Sequence, residues 1–267
     1  MIDVIKQQFK PGMQIHEKLH VTREFLQILS LKTINEKEFF NQIAFLGGTS
    51  LRLIYGIKRF SEDLDFSLIK KEKYDFDKIH HELLRLFHLY GLPFEAKTSK
   101  ERNVHSMMMK FTGLLKELGI SPLPSQKFSI KLEIDANPPA GWILANTIVS
   151  KIYTLNIVHY DLPSLYAGKL HACFYRTFTK GRDFYDLVWY LGKKVKPNFT
   201  LLNNAIQQTQ GNAPQISESN FKQYLLENIQ RIDFEHVKKD VERFLEDKSE
   251  LSLFDLKTIQ DTIEAVC

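Results

Sequence analysis

The segment Phe45-Leu46-Gly47-Gly48-Thr49-Ser50-Leu51, followed by Arg59-Phe60-Ser61-Glu62-Asp63-Leu64-Asp65-Phe66, carries residue types and spacings that can do chemistry. Ile43 to Leu46 is a short apolar run that predicts a buried strand. Ser50 to Tyr55 then predicts a helix, stopped by Gly56. A strand ending in Gly-Gly lets the backbone come close to a ligand. Thr49 and Ser50 can cap the helix, whose positive end is then a phosphate site. Asp63 to Ile69 alternates and predicts a second strand, so Asp63 and Asp65, two apart, project from one face. Two carboxylates on one face repel unless a cation sits between them. Hard oxygen ligands with open positions suit Mg²⁺ carried in by a triphosphate. These parts suit nucleotidyl transfer, in which metal ions bridge carboxylates and phosphates, activate a hydroxyl and neutralise the pyrophosphate leaving group. Asp-x-Asp or Gly-Gly-Thr alone is more often a solvated strand edge or a plain turn. The ordered series of strand, Gly-Gly-Thr, helix, strand and Asp-x-Asp is far more specific.

The same block resembles the signature of the polymerase-β-like nucleotidyltransferase superfamily. More narrowly it resembles the AbiEii/AbiGii toxin family, whose form is GGTxL and then RxSxDxDF. Gly47, Gly48, Thr49, Leu51, Arg59, Ser61, Asp63, Asp65 and Phe66 match every position of it. The superfamily adds a third acidic residue from a neighbouring strand. Lys131-Leu132-Glu133-Ile134-Asp135 offers Glu133 and Asp135 on one face. Glu133 lies within the strand and is preferred; Asp135 borders the Asn137-Pro138-Pro139 turn. A second block also resembles the family: Lys169-Leu170-His171-Ala172, Arg176, then Arg182-Asp183-Phe184-Tyr185-Asp186-Leu187. Lys169 lies on a helix of otherwise small or apolar residues, so it needs an anion. A nucleotide phosphate would serve. So would Asp183 and Asp186, three apart on one helical face, in an ion-pair network between two helices.

The resemblance implies a polymerase-β-like core, a mixed sheet flanked by helices of the α+β type, followed by a helical C-terminal region. It implies an enzyme that moves a nucleoside monophosphate from an NTP to an acceptor hydroxyl with two Mg²⁺ ions. Asp63, Asp65 and Glu133 would hold metal, with Asp135 as the other candidate carboxylate. Gly47, Gly48, Thr49, Ser50, Arg59, Lys169, Arg182, Asp183 and Asp186 would line the nucleotide site. A toxin–antitoxin or phage-defence role follows, with a cognate antitoxin as partner and tRNA as an acceptor in some members. The competing reading is a catalytically silent nucleotidyltransferase-fold module that binds or regulates. Loss of Asp63 or Asp65 would favour it, and both are present.

These residues must be positioned by a chain of 267 residues, 43% hydrophobic and 25% charged, which is enough for a sizeable core. Met13 to Leu31 has helical spacing, and Asn35 to Glu38 reads as a further helix start. Asp75 to Tyr90 predicts an amphipathic helix closed by Gly91 and Pro93. Met107 to Phe111 and Phe128 to Ile134 predict strands; Ile148 to Val158 predicts one more. From Ser164 the pattern is helical, with breaks at Pro197 and at Gly211-Asn212-Ala213-Pro214. The expected division is therefore an α/β domain over 1–160, with N-terminal helices, and a helical domain over 161–267. The net charge of +4 permits a nucleic-acid partner without requiring one. Lys180, Lys193, Lys194 and Lys196 form a basic stretch suited to an RNA backbone. Two cysteines, Cys173 and Cys267, rule out a disulfide framework and point to a reducing cytoplasm. No apolar run nears the ~20 residues of a membrane span, and no signal-peptide stretch opens the chain. His16-Glu17-Lys18-Leu19-His20 matches H-E-x-x-H. It lacks a following third ligand and reads as a charged helix face rather than a metalloprotease site.

Overall fold

A computed structural model describes residues 1–92, 94–211 and 215–267. The expected chain breaks at Pro93 and at Asn212, Ala213 and Pro214 lie outside these residues. The chain runs α1 (Ile2–Lys6), α2 (Ile15–Glu36), β1 (Ile43–Leu46), α3 (Gly47–Tyr55), β2 (Leu64–Leu68), α4 (Phe76–Leu89), β3 (Glu95–Lys100), β4 (Val104–Thr112), α5 (Leu114–Glu117) and β5 (Lys127–Asp135). It continues through β6 (Leu144–Ser150), β7 (Thr154–Tyr160), α6 (Leu162–Tyr175), α7 (Gly181–Gly192), α8 (Phe199–Gln210), α9 (Phe221–Ile229), α10 (Phe234–Val241) and α11 (Leu256–Val266).

Two compact units divide the chain. The first comprises residues 1–50, 61–137 and 146–159; the second takes 51–60, 138–145 and 160–267. In the first unit the strands belong to a mixed sheet of order β3-β4-β5-β2-β1-β7-β6. β2 runs antiparallel to β1 and parallel to β5, and β1 runs parallel to β7. β5 shows why this sheet forms. Phe128, Ile130, Leu132 and Ile134 are buried, while Lys131, Glu133 and Asp135 keep partial exposure on the other face. α4 begins where the Asp75 carboxylate accepts the Asp77 and Lys78 amides, and it buries Phe76, Ile79, Leu83 and Phe87.

The second unit is helical. The Asp161 carboxylate caps α6 at Ser164 N, with Pro163 in the first turn. α6 packs on α7 and α8, and α7 also meets α10 and α11.

Four expectations change. α2 continues through Asn35 and Glu36, so no helix starts there; Glu38 instead takes a left-handed conformation before a short 3₁₀ turn. The apolar run around 148–158 is two strands, β6 and β7, not one. The charged segment Glu95–Lys100 forms an edge strand that apolar alternation does not reveal. α3 begins at Gly47, so Thr49 and Ser50 lie inside its first turn and do not cap it.

Candidate active site

β1, the first turn of α3 and β2 build the Gly-Gly and Asp-x-Asp arrangement within the first unit. β1 ends at Leu46, whose register partner on β2 is Asp65. The chain turns into α3 through Gly47, at a φ of 77°. Glycine is needed there twice over. A methyl group added at Gly47 would lie 2.2 Å from Asp65 Oδ2, and the positive φ would strain any L side chain. The Asp65 carboxylate thus lies against the start of α3, where the helix dipole favours negative charge.

Thr49 and Ser50 are fully buried. The Thr49 hydroxyl donates to the Asp63 carbonyl, and Ser50 Oγ donates to Gly47 O at 3.0 Å. Both hydroxyls are therefore engaged within the fold. Thr49 ties the strand entry at Asp63 to the first turn of α3, and Ser50 closes that turn. Gly47 and Gly48 remain partly exposed at the helix start.

Asp65 has Glu133 as its register partner across the parallel β2–β5 pair. Asp135 lies two pairs further along, opposite buried Ser67. Burial raises its pKa, and the Asn137 amide, donating at 2.9 Å, counters this only in part. Asp135 thus serves the turn that ends β5. Asp63, Asp65 and Glu133 all retain partial exposure.

Among the described residues no group of three or more His, Cys, Asp or Glu side chains is placed to hold a metal ion. Mg²⁺ delivered by a triphosphate needs only one or two protein carboxylates, and a stand-in cation tests the fit. The Lys131 ammonium lies 2.7 Å from Glu133 Oε1. Its pKa is raised chiefly by the Glu133 hydrogen bond, against a burial cost, with further help from the charges of Asp63 and Asp65. One positive charge is already held where the three carboxylates add their fields. The donor set suits a hard cation. Sequence reasoning misses Lys131, although its i, i+2 spacing from Glu133 places both on one face of a strand.

The second cluster lies wholly in the second unit. Arg59 is 1% exposed. Its Nε and Nη2 both donate to Asp186 at 2.6 Å, and Nη1 donates to the Phe60 carbonyl at 3.0 Å. One edge of the guanidinium is thus committed to Asp186 as a bidentate buried ion pair. Lys169 Nζ lies 2.7 Å from both Asp183 and Asp186, and Arg176 donates to Asp183 at 2.7 Å. Burial alone would lower the Lys169 pKa; Asp183 and Asp186 outweigh it and raise the pKa. Burial would likewise raise the Asp183 pKa, and Lys169 followed by Arg176 pull it below the ordinary value. Asp183 and Asp186 are buried ion-pair partners of Arg59, Lys169 and Arg176. A phosphate reaching Lys169 would have to displace one of them. The Arg182 guanidinium lies over the Phe244 ring, 4.4 Å from its centroid.

The H-E-x-x-H segment holds no metal site. Glu17 accepts the Gln14 amide at 2.6 Å in a capping box at the start of α2. His16 is exposed while His20 is buried.

A mixed seven-stranded sheet with flanking helices, followed by a helical C-terminal region, is a nucleotidyltransferase fold. A candidate nucleotidyltransferase from Helicobacter pylori shares it, with a TM-score of 0.51 at 19% identity over 92% of this chain and 97% of that one. The protein JHP933, also from Helicobacter pylori, aligns with a TM-score of 0.48 at 18% identity, over 92% of this chain and 96% of that one. No curated protein matches in sequence. The family model described as "Nucleotidyl transferase AbiEii toxin, Type IV TA system" matches residues 30–264, and the chain belongs to that family. The protein is therefore a nucleotidyltransferase of a toxin–antitoxin family. No helix among the described residues is long and apolar enough to cross a membrane.

Proposed function

We propose that the protein is a Mg²⁺-dependent toxin that transfers a nucleoside monophosphate from an NTP to a hydroxyl at the end of an RNA, tRNA being the leading acceptor. Its setting is a toxin–antitoxin pair that limits phage growth. The observation that carries this reading is the seating of the Asp65 carboxylate on Gly47, with Glu133 as its cross-strand partner. Asp63, Asp65 and Glu133 are the proposed metal ligands. When bound, Mg²⁺ polarises the α-phosphate and carries the charge of the departing pyrophosphate. Gly47 and Gly48 let the backbone approach the triphosphate, and the start of α3 attracts its charge. Thr49 holds Asp63 in place through its carbonyl. Lys131 balances Glu133 in the absence of substrate. In the transfer, the acceptor oxygen bonds to the α-phosphorus as the bridging P–O bond to pyrophosphate breaks. The acceptor proton passes to a carboxylate of the set.

The test incubates purified protein with each labelled NTP, Mg²⁺ and total RNA. One NTP is expected to label an RNA. Asp63→Asn and Asp65→Asn should each reduce labelling by at least about a hundredfold while leaving the melting temperature near wild type. Full turnover by either variant removes that residue from the mechanism.

A further inference from the structure

We propose that the loop joining α6 to α7 is a nucleobase-stacking site for the unpaired end of the acceptor RNA, with Phe178 as the platform and Arg176 and Lys180 as phosphate contacts. The proposal rests on the reading that the acceptor is RNA.

Phe178 is 58% exposed, and among the described residues it is the only exposed Phe, Tyr or Trp. The chain has 20 phenylalanines, so leaving this one in water is a departure from its own pattern. Two cations flank the ring. The Arg176 guanidinium carbon lies 5.7 Å from its centroid, and Lys180 Nζ lies 5.5 Å from it. The loop Arg176-Thr177-Phe178-Thr179-Lys180 contains no acidic residue.

The loop is held at both ends. Arg176 is fixed to Asp183 at 2.7 Å, and the Gly181 amide donates to Asp240 Oδ2 at 2.7 Å. Gly181 is clamped further, because a methyl group there would lie 2.3 Å from the Val237 carbonyl oxygen. A five-residue connection with both ends anchored presents its middle residue outward. The ring is therefore pre-positioned, and little ordering cost remains for a ligand.

Cation, aromatic and cation at alternate residues match the chemistry of a single strand. A base stacks on the ring while the phosphates on either side meet the cations. One isolated ring offers too little apolar area for a protein interface. Such a platform accepts any base, which suits a contact that holds an end rather than reads a sequence. The Lys180–Lys196 stretch is a weaker candidate: Lys196 pairs with Glu218, and Lys193 lies 5.8 Å from the centroid of Trp189.

The test uses the full chain and a short, unstructured, fluorescein-labelled RNA, with binding followed by polarisation. Phe178→Ala and Phe178→Leu should each bind about tenfold more weakly than wild type, at unchanged melting temperature, and Phe178→Trp should retain binding. The fluorescence that Phe178→Trp adds over wild type should be quenched by the same RNA without its label. NTP alone, or that RNA in a duplex, should quench it much less. Equal RNA binding by Phe178→Ala and wild type overturns the stacking site while leaving the RNA acceptor intact. No RNA binding by wild type overturns both. Equal quenching of the Phe178→Trp variant by NTP alone assigns the loop to the nucleotide substrate and overturns the proposal. Competition by polyglutamate as strong as by RNA reduces the loop to a charge patch and overturns it as well.

Discussion

Gly47 and Asp65 occupy one volume between them: what a side chain would fill at the first, a carboxylate fills from the second. Gly47→Ala should therefore fail in two ways. The left-handed backbone costs roughly 1–2 kcal/mol, and the new methyl drives Asp65 off its position. Thermal melts and NTP labelling should both show the loss. Adding Asp65→Ala to Gly47→Ala should restore part of the stability and none of the activity. Recovery of neither would show that Asp65 is not what the methyl strikes. Lys131 gives a second expectation. If it holds the place of a cation, Lys131→Met should tighten Mn²⁺ binding about tenfold, since one neighbouring positive charge is removed. Direct Mn²⁺ titration by electron paramagnetic resonance reads this without turnover. Removing exposed Lys127, at the start of the same strand, should do little; an equal effect would make the change one of general charge. The Gly47–Asp65 arrangement is legible in the sequence because its parts lie close together along the chain. The sequence does not reveal the fate of Arg59, whose partner Asp186 lies 127 residues away. Side-chain type alone offers a phosphate as readily as a carboxylate.

Helices α6 and α7 are joined by charge as well as by apolar packing. Arg59, Lys169 and Arg176 face Asp183 and Asp186, so each buried acid has two cationic partners. Asp183 has a folded pKa below its unfolded one. Its contribution is full above the ordinary carboxylate range and is lost as pH falls through the lowered folded value. Asp183→Asn should therefore melt well below wild type at neutral pH, by the equivalent of about 3 kcal/mol. The gap should close in strong acid, below the ordinary 3.8. A gap that persists there would mean lost packing rather than lost charge. Elements are legible in the sequence where one face is apolar: α4 and β5 lie within a residue or two of their expected bounds. β3 escapes it because an edge strand exposed on both faces carries no alternation. β6 and β7 merge because β-branched residues run through both strands.

At the scale of the whole chain, the second compact unit draws residues 51–60 from the N-terminal half. Those residues include Arg59, the bidentate partner of Asp186. A fragment of residues 161–267 holds every helix from α6 to α11 and the Asp161 cap, yet it lacks that guanidinium. It should show helical circular dichroism without a cooperative melt, because one buried carboxylate has lost its main partner. A sharp transition in the fragment would show the Arg59 contact to be dispensable. The long-range pair also orders events on the ribosome. At about 5–20 residues per second, Arg59 leaves synthesis roughly ten seconds before Asp186 exists to meet it. For that interval the nascent chain carries a cation destined for a dry interior with nothing to neutralise it. The second unit cannot close on Arg59 until Asp186 has emerged, so a stalled or truncated product from the first half of the message would release a polypeptide without its completed helical unit.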